Sequence, residues 1–254
     1  MAKVIAPFKI VGTIDDLNFY VDENNINRVR QKGKTGVSSE QFKNYPCFQK
    51  VKNHGKEFGK CTRKAQNFRQ LAFHFNNRAK DGSFAGRSNK LMLDILNEDL
   101  VNPPGERTVE MGMESLDAAS YFLSFEGNKL RPLKTVLKKD WSWNETTCQF
   151  NMSSFNPAEH IDWPQNSQQI HLAIARANWN YIDNKFTTCY SEEIILEKNE
   201  NTIDICLKTE KPEGKHLQLL FLFIGFSIRD RKKTKELKRS NNTVSIIWAN
   251  NQAK

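Results

Sequence analysis

The sequence predicts an α+β chain in which an N-terminal β-hairpin and a helical hairpin precede an antiparallel β-sandwich. Three observations carry this reading. Apolar side chains between residues 51 and 79 recur every three or four positions, the period of a helix with one buried face. After residue 108 the spacing changes to every second residue, as strands with one buried face require. Between the two regimes stands "VNPPGERT", residues 101–108, whose two prolines and glycine no helix can run through. The expected domains are therefore 1–104, a basic strand-and-helix domain, and 105–254, a β-sandwich.

Residues 3–31 read as a hairpin or small sheet. "FKIVGTI" is rich in β-branched residues, and "LNFYV" alternates Leu17, Phe19 and Val21 with Asn18 and Tyr20. "DENN" makes the turn. In the returning strand Ile26, Arg28 and Arg30 share one face and Asn27 and Val29 the other, so the two arginines project together. Gly33 and Gly36 then release the chain. Ser38 followed by Gln41 has the pattern of a capping box opening a short helix, which Pro46 interrupts.

The stripe Val51, His54, Phe58, Cys61, Ala65, Phe68, Ala72, Phe75 and Ala79 predicts one helix of about eight turns. Lys52, Lys56, Lys60, Arg63 and Lys64 fall on its opposite side. Gly55 and Gly59 lower helix propensity by about 1 kcal/mol each, which a close helix–helix approach or a break near 55 would explain. "DGSFAGRSNK" is a turn, and "SNKLMLDILNEDL" a second helix capped by Ser88 or Asn89 and antiparallel to the first.

Beyond the junction, Ile170, Leu172 and Ile174 alternate with His171, Ala173 and Ala175. Ile203, Ile205 and Leu207 do the same, as do Val244, Ile246 and Trp248. "LQLLFLFIGFSI", residues 217–228, is too short for the roughly 18 to 20 residues of a membrane span and reads as a buried strand. With turns at "EKNEN" and "KPEG" the pattern suggests a sandwich of about seven strands.

The N-terminus carries no secretory signal pattern. The five cysteines, Cys47, Cys61, Cys148, Cys189 and Cys206, form no C-x-x-C pair, so neither a disulfide framework nor a zinc site is indicated and a reducing cytoplasm is the expected setting. The net charge of +9 is unevenly spread: residues 28–90 hold 16 basic side chains against 3 acidic ones. Such asymmetry points to an anionic partner or to a solvated helical face. The candidate anion or nucleic-acid binding residues are Arg28, Arg30, Lys32, Lys34, Lys52, Lys56, Lys60, Arg63 and Lys64. A second cluster, Arg231, Lys232, Lys233, Lys235, Lys238 and Arg239, occupies a basic loop within 229–242.

At "GTIDDLNFY", "VRQKGKTGVSSEQF", "FQKVKNHGKEFGKCTRKAQNFRQ" and "NPPGERTV" the sequence resembles a family of uncharacterised Bacteroidota proteins. Their N-terminal part similarly runs from a G-T-I-x-D-L-x-F-Y strand to an E-F-G helix and an N-P-x-G-x-R junction. The likeness covers about residues 8–112 and implies no activity, cofactor or catalytic residue. Asp15 stands where a glycine is common in that family, and the Gly33–Gly36 turn is longer than its usual pair.

No nucleophile elbow, P-loop, dinucleotide fingerprint or H-E-x-x-H occurs, so no catalytic residue, cofactor or metal is expected. His160 with Glu159 and Asp162 in "AEHIDW" is the one dense cluster of acid–base groups, without a second ligand group at a recognised spacing. Trp141 and Trp143 would share a strand face, in a core or as a stacking platform. Cys61, Cys189 and Cys206 read as inert structural residues. The expected function is that of a non-enzymatic structural or assembly protein, a homo-oligomer or a subunit of a larger cytoplasmic or phage-like particle. The alternative is a nucleic-acid-binding protein using the basic helical domain. No membrane association is expected, and a hydrolase or carbohydrate-binding module is a distant third.

Overall fold

The computed structural model describes residues 2–33, 36–230 and 233–251, and the chain divides into two compact units at Lys52/Asn53. The fold is mixed α+β, with a small N-terminal sheet, a helical hairpin and an antiparallel sandwich.

In the first unit, β1 (Ala2–Lys3), β2 (Gly12–Ile14), β3 (Leu17–Val21) and β4 (Asn27–Gln31) form an antiparallel sheet in the order β1-β4-β3-β2. Of the expected strand "FKIVGTI" only the last three residues pair. Asp22 builds the "DENN" turn: its carboxylate accepts from the Asn24 and Ile26 N–H groups at 3.0 and 2.9 Å, and Asn25 adopts φ +64°, a conformation asparagine tolerates. The capping box forms as read, with Gln41 N–H donating to Ser38 Oγ and Ser38 N–H to Gln41 Oε1 at 3.1 and 2.8 Å. It opens α1 (Ser39–Asn44), and Pro46 starts a separate 3₁₀ turn.

The helical hairpin consists of α2 (Gln49–Gln70), α3 (Phe73–Arg78) and α4 (Phe84–Asn97). Cys61 Sγ lies 3.7 Å from the Met92 carbonyl and Arg69 donates to Asn89 at 3.3 Å, so α2 and α4 run antiparallel. The single long helix expected over 51–79 is interrupted at Leu71–Ala72. Both residues are fully buried, and the carbonyls freed by the break find donors: Asn76 Nδ2 reaches Arg69 O at 3.0 Å and Thr188 Oγ1 reaches Leu71 O at 2.6 Å. Interruption is tolerable because these carbonyls keep hydrogen-bond partners. Gly55 and Gly59 sit inside α2 with open space where a Cβ would stand, so they mark neither a break nor a close approach. Helix α4 begins at Phe84, ahead of the expected caps. Ser88 is interior and donates to Phe84 O at 2.8 Å, while Asp81 accepts from Ser83 N–H and Arg87 at the helix start.

The apolar stripe of α2 is buried only from Cys61 onward; Val51 and Phe58 are exposed and Glu57 takes the inward position. Its Oε1 accepts from the N–H groups of Gly105 and Arg107 at 2.7 and 2.9 Å and from Arg107 Nε at 3.2 Å. Asp99 completes the arrangement, accepting from the N–H groups of Val101, Asn102 and Thr108. The "VNPPGERT" segment is thus a fastened loop, with Gly105 at φ +102°, a region glycine enters without penalty. Beyond it, α5 (Val109–Gly112) approaches α4 so closely that a Cβ on Gly112 would lie 1.9 Å from Ile95 O. The boundary expected at 104/105 therefore falls inside the second unit.

The rest of that unit comprises α6 (Leu133–Val136), β5 (Ser142–Asn144), β6 (Gln149–Phe155), α7 (Pro157–His160), β7 (Gln169–Asn180), β8 (Lys185–Tyr190), β9 (Ile194–Glu197), β10 (Ile203–Lys208), β11 (Leu217–Asp230), β12 (Lys233–Glu236) and β13 (Thr243–Asn251). Central strands β7 and β11 pair with each other; β8 and β9 follow one another along the outer side of β7, and β13 and β12 along that of β11. A second sheet has the order β10-β6-β5. The central pair β7 and β11 is buried on both faces. Ala173, Ala175, Ala177, Trp179, Leu219, Phe221 and Phe223 meet Phe68, Phe75 and Ile95 of the helices. Ile170, Leu172, Ile174, Leu220, Leu222 and Ile224 meet Phe150, Met152, Ile205 and Leu207 of the second sheet. The uninterrupted apolar run of β11 follows from this, since its residues alternate between two cores.

Replacing Glu57 by alanine strands the Gly105 and Arg107 donors and should cost about 2–4 kcal/mol at neutral pH, measured by urea unfolding. The carboxyls of Glu57, Asp99 and Asp81 all titrate below their ordinary values: although burial opposes it, the hydrogen bonds from Arg107, Asn102 and Arg87 dominate, and Asp81 falls to about 2. Their contribution is present above the unfolded carboxyl range and should fade as pH drops below about 4, so wild-type stability should decline there and Glu57→Ala should show a shallower decline.

Candidate functional site

The N-terminal sheet is two-faced. Register places Ile14, Leu17, Phe19, Val21 and Val29 on one side and Thr13, Asn18, Tyr20, Arg28 and Arg30 on the other. On the apolar side Asn27 is the one buried residue of the unit among those described. Its amide group bonds the Ile10 N–H and C=O, both at 2.9 Å, drawing the segment before β2 against the sheet. This leaves Ile5, Phe8, Val11, Ile14 and Leu17 exposed, at 91, 67, 73, 56 and 44 %. Edge strand β2 pairs on one side only.

On the polar side the expected pair of arginines does share a face, but neither is a bare cation. Arg28 bonds Asp22 at 2.8 Å, the Ile26 N–H and then Arg28 holding that carboxyl below its ordinary pKa, and Arg30 lies 5.8 Å from the centre of the Tyr20 ring. Lys32 is exposed, while Lys34 lies outside the described residues. Lys52 Nζ caps the Lys43 carbonyl at 2.9 Å. In the second unit Lys56, Lys60 and Arg63 are exposed on α2, as expected. Lys64 is not: it is buried, donates to the Tyr181 carbonyl and pairs with Glu110 at 2.6 Å. A helix facing a sheet buries more than its apolar stripe, and a lysine there needs a partner.

The basic segment after β11 is largely a hairpin, since β12 pairs back on Ser227–Asp230. Arg231 and Lys232 lie outside the described residues. Lys233 and Lys235 belong to β12, and Lys235, Lys238 and Arg239 are exposed. The following turn is pinned by Asn242, fully buried, which accepts from Phe226 N–H at 3.0 Å and donates to Arg78 O at 2.8 Å.

Other clusters resolve into structural roles. In "AEHIDW", His160 Nδ1 accepts from Asn156 N–H at 2.9 Å and Asp162 pairs with Arg131; no group of three metal-ligating side chains occurs among the described residues. Trp141 stacks on Phe150 and Trp143 packs near Trp248, with ring centres 5.6 and 6.1 Å apart. His171 has Ser227 Oγ 2.8 Å from Nε2 and Glu193 Oε1 2.5 Å from Nδ1, the spacing of nucleophile, base and orienting acid. Ser227, however, has no exposed surface, and Arg78 grips the Glu193 carboxylate at 2.6 and 3.0 Å. With His171 and Arg78 as partners, Glu193 titrates at about 2. This chain fastens β7, β11 and α3 together and leaves a substrate no approach to the hydroxyl.

One site was not anticipated. Residues 124–127 pair with the outer edge of β13 through Ser124 N–H to Ile246 O, Ile246 N–H to Phe125 O and Gly127 N–H to Val244 O, at 2.9, 3.1 and 2.8 Å. Between this segment, α6 and residues 137–141 lies a cleft of about 820 Å³ that Glu126 helps to line. Glu126 Oε1 accepts from Leu133 N–H at 3.1 Å, whereas Oε2 is buried without a hydrogen-bond partner. Burial pushes this carboxyl up to about 7 against the opposing pull of Leu133 N–H, the Ser245 hydroxyl and Arg87. The only sequence cue is an acid set in the apolar context "YFLSFEG", ahead of "PLKTVLKKDW".

No family model, curated protein or solved structure matches the chain.

For a carboxyl with a raised native pKa, the stabilising contribution is complete below the unfolded value and disappears as pH rises through the native one. Wild-type stability should therefore fall by about 1–2 kcal/mol between pH 4.5 and 7, after allowance for partial solvent access. Glu126→Gln should flatten that interval in urea unfolding curves taken at each pH.

Proposed function

We propose that this protein is a non-enzymatic assembly subunit whose N-terminal sheet joins copies of the chain edge to edge. The observation that carries the reading is the composition of that unit's surface. Nine large apolar side chains between Ile5 and Val51 are exposed, whereas Asn27 alone is buried among the described residues of the unit. A unit of this size gains little stability from so small a buried area. Unpaired strand edges beside exposed apolar side chains are a template for strand addition.

The occupant that fits is a second copy. The two edges of the sheet differ in charge: the β2–β3 tip carries Asp15 and Asp16, and the β1–β4 side carries Lys3 and Arg30 beside the Arg28–Asp22 pair. Joining the β2 edge of one copy to the β1 edge of the next places opposite charges together and covers Ile14 and Leu17. Such head-to-tail contacts close into rings or propagate as filaments. This agrees with the particle-like role expected from the sequence.

Light scattering after size-exclusion chromatography tests the proposal. Wild type should elute as a multimer, and Ile14→Lys combined with Leu17→Lys, or removal of residues 2–12, should release monomer without altering the far-ultraviolet spectrum of the second unit. A wild-type monomer at high concentration would overturn it.

A second reading is supported by Lys56, Lys60 and Arg63, exposed on consecutive turns of α2 and without an ion pair among the described residues. Nucleic acid bound there would show affinity falling steeply with salt, and Lys56→Glu with Lys60→Glu would weaken all sequences alike. Fluorescence anisotropy with duplex and single-stranded probes decides this; absence of binding at physiological salt would leave the assembly reading alone.

A further inference from the structure

The cleft beside Glu126 belongs to the second unit and has the character of a small-molecule site. Its volume of about 820 Å³ lies within the roughly 300–1,000 Å³ of ligand pockets. Leu123, Leu137, Trp141 and Ile247 form apolar walls. The Trp141 ring is held in place by its stack on Phe150, so that wall exists before any ligand arrives. Lys134, Lys138 and Lys139 also line the cleft; Lys134 and Lys138 are exposed, and none of the three forms an ion pair among the described residues. Asp140 and Glu126 are the lining carboxyls.

We propose that this cleft binds a small amphipathic anion, its apolar body against Leu123, Leu137, Trp141 and Ile247 and its carboxylate or phosphate head on Lys134, Lys138 and Lys139. Apolar walls favour a hydrocarbon or aromatic body, and three lysines supply charge to a head at the mouth without the geometric demands of an arginine fork. The interior adds no opposing charge at mildly acidic pH, because Glu126 keeps its proton up to about 7. The charged and polar groups set around it are Arg87 from α4, Ser245 from β13, and Lys134, Lys138, Lys139 and Asp140 from the segment that begins with α6. Above that pH an ionised Glu126 would repel the anion and solvate poorly beside its apolar body.

Isothermal titration calorimetry on the full chain, with octanoate, octyl phosphate and octanol as probes, tests the site. One equivalent of octanoate or octyl phosphate should bind, and the tighter of the two identifies the head group. Octanol should bind about tenfold more weakly, and Lys134→Gln with Lys138→Gln should weaken both anions by about tenfold, each equal to ~1.4 kcal/mol. Lys56→Gln with Lys60→Gln should change nothing. Octanoate affinity should fall between pH 6 and 8 in wild type and stay level in Glu126→Gln. Absence of binding, octanol as tight as octanoate, indifference to the Lys134/Lys138 change, or a level wild-type pH profile would overturn the assignment.

Discussion

The second unit depends on one ladder, the antiparallel pairing of β7 with β11 over eleven residue pairs from Leu217–Trp179 to Ser227–Gln169. Both strands are buried on both faces, so their apolar side chains are divided between two cores. Burying a large apolar side chain contributes about 1.5–3 kcal/mol, and the ladder concentrates such side chains where helices and second sheet can each cover one face. The alanines at 173, 175 and 177 point toward the helices. Small side chains there let Phe68 and Phe75 approach the sheet, and Phe75 stacks on Phe223 with ring centres 5.0 Å apart.

Buried polar groups set the details of this scaffold. Glu57 and Asp99 fasten the proline-containing junction, Lys64 reaches a carbonyl of the β7–β8 connection, and Arg176 lies fully buried between Gln218, Cys148 and the rings of Trp143 and Trp248. Each such group costs free energy to desolvate and is tolerable only with its partners in place. They therefore fix which loop sits where, while the apolar cores supply the bulk of the stabilisation. Glu126 is the exception, a carboxyl whose burial is only half compensated. Incomplete pairing of that kind is more informative about ligand binding than the fully paired Ser227–His171–Glu193 chain.

The first unit follows a different economy. Its sheet is closed by local devices, the Asp22 turn and the Asn27 amide, with no buried apolar side chain among the described residues. Local hydrogen bonds specify its shape but leave its apolar side uncovered. That contrast between the two units is what separates an attachment module from a scaffold in the proposed assembly.

Periodicity and local chemistry determined much of this fold directly from the sequence: the capping box at Ser38–Gln41, the turn at Asp22–Asn25, the α2 face from Cys61 to Phe68, the alternation that makes β7 a strand, and the continuous apolar run that makes β11 one. These features depend on residues a few positions apart, whose spacing a sequence displays openly. What only the tertiary structure decided depends on distant partners. The break at Leu71–Ala72 relies on Thr188, the burial of Lys64 on Tyr181 and Glu110, and the fastening of the 101–108 junction, where a domain boundary was expected, on Glu57. Helical spacing placed Lys64 among the solvated cations and Glu57 nowhere in particular, because a helical period assigns faces without saying how wide the buried one will be. The Glu126 cleft is likewise made by residues 123–141 meeting β13, more than a hundred positions later. Such a meeting is fixed by packing of the whole sheet, and no local pattern encodes it.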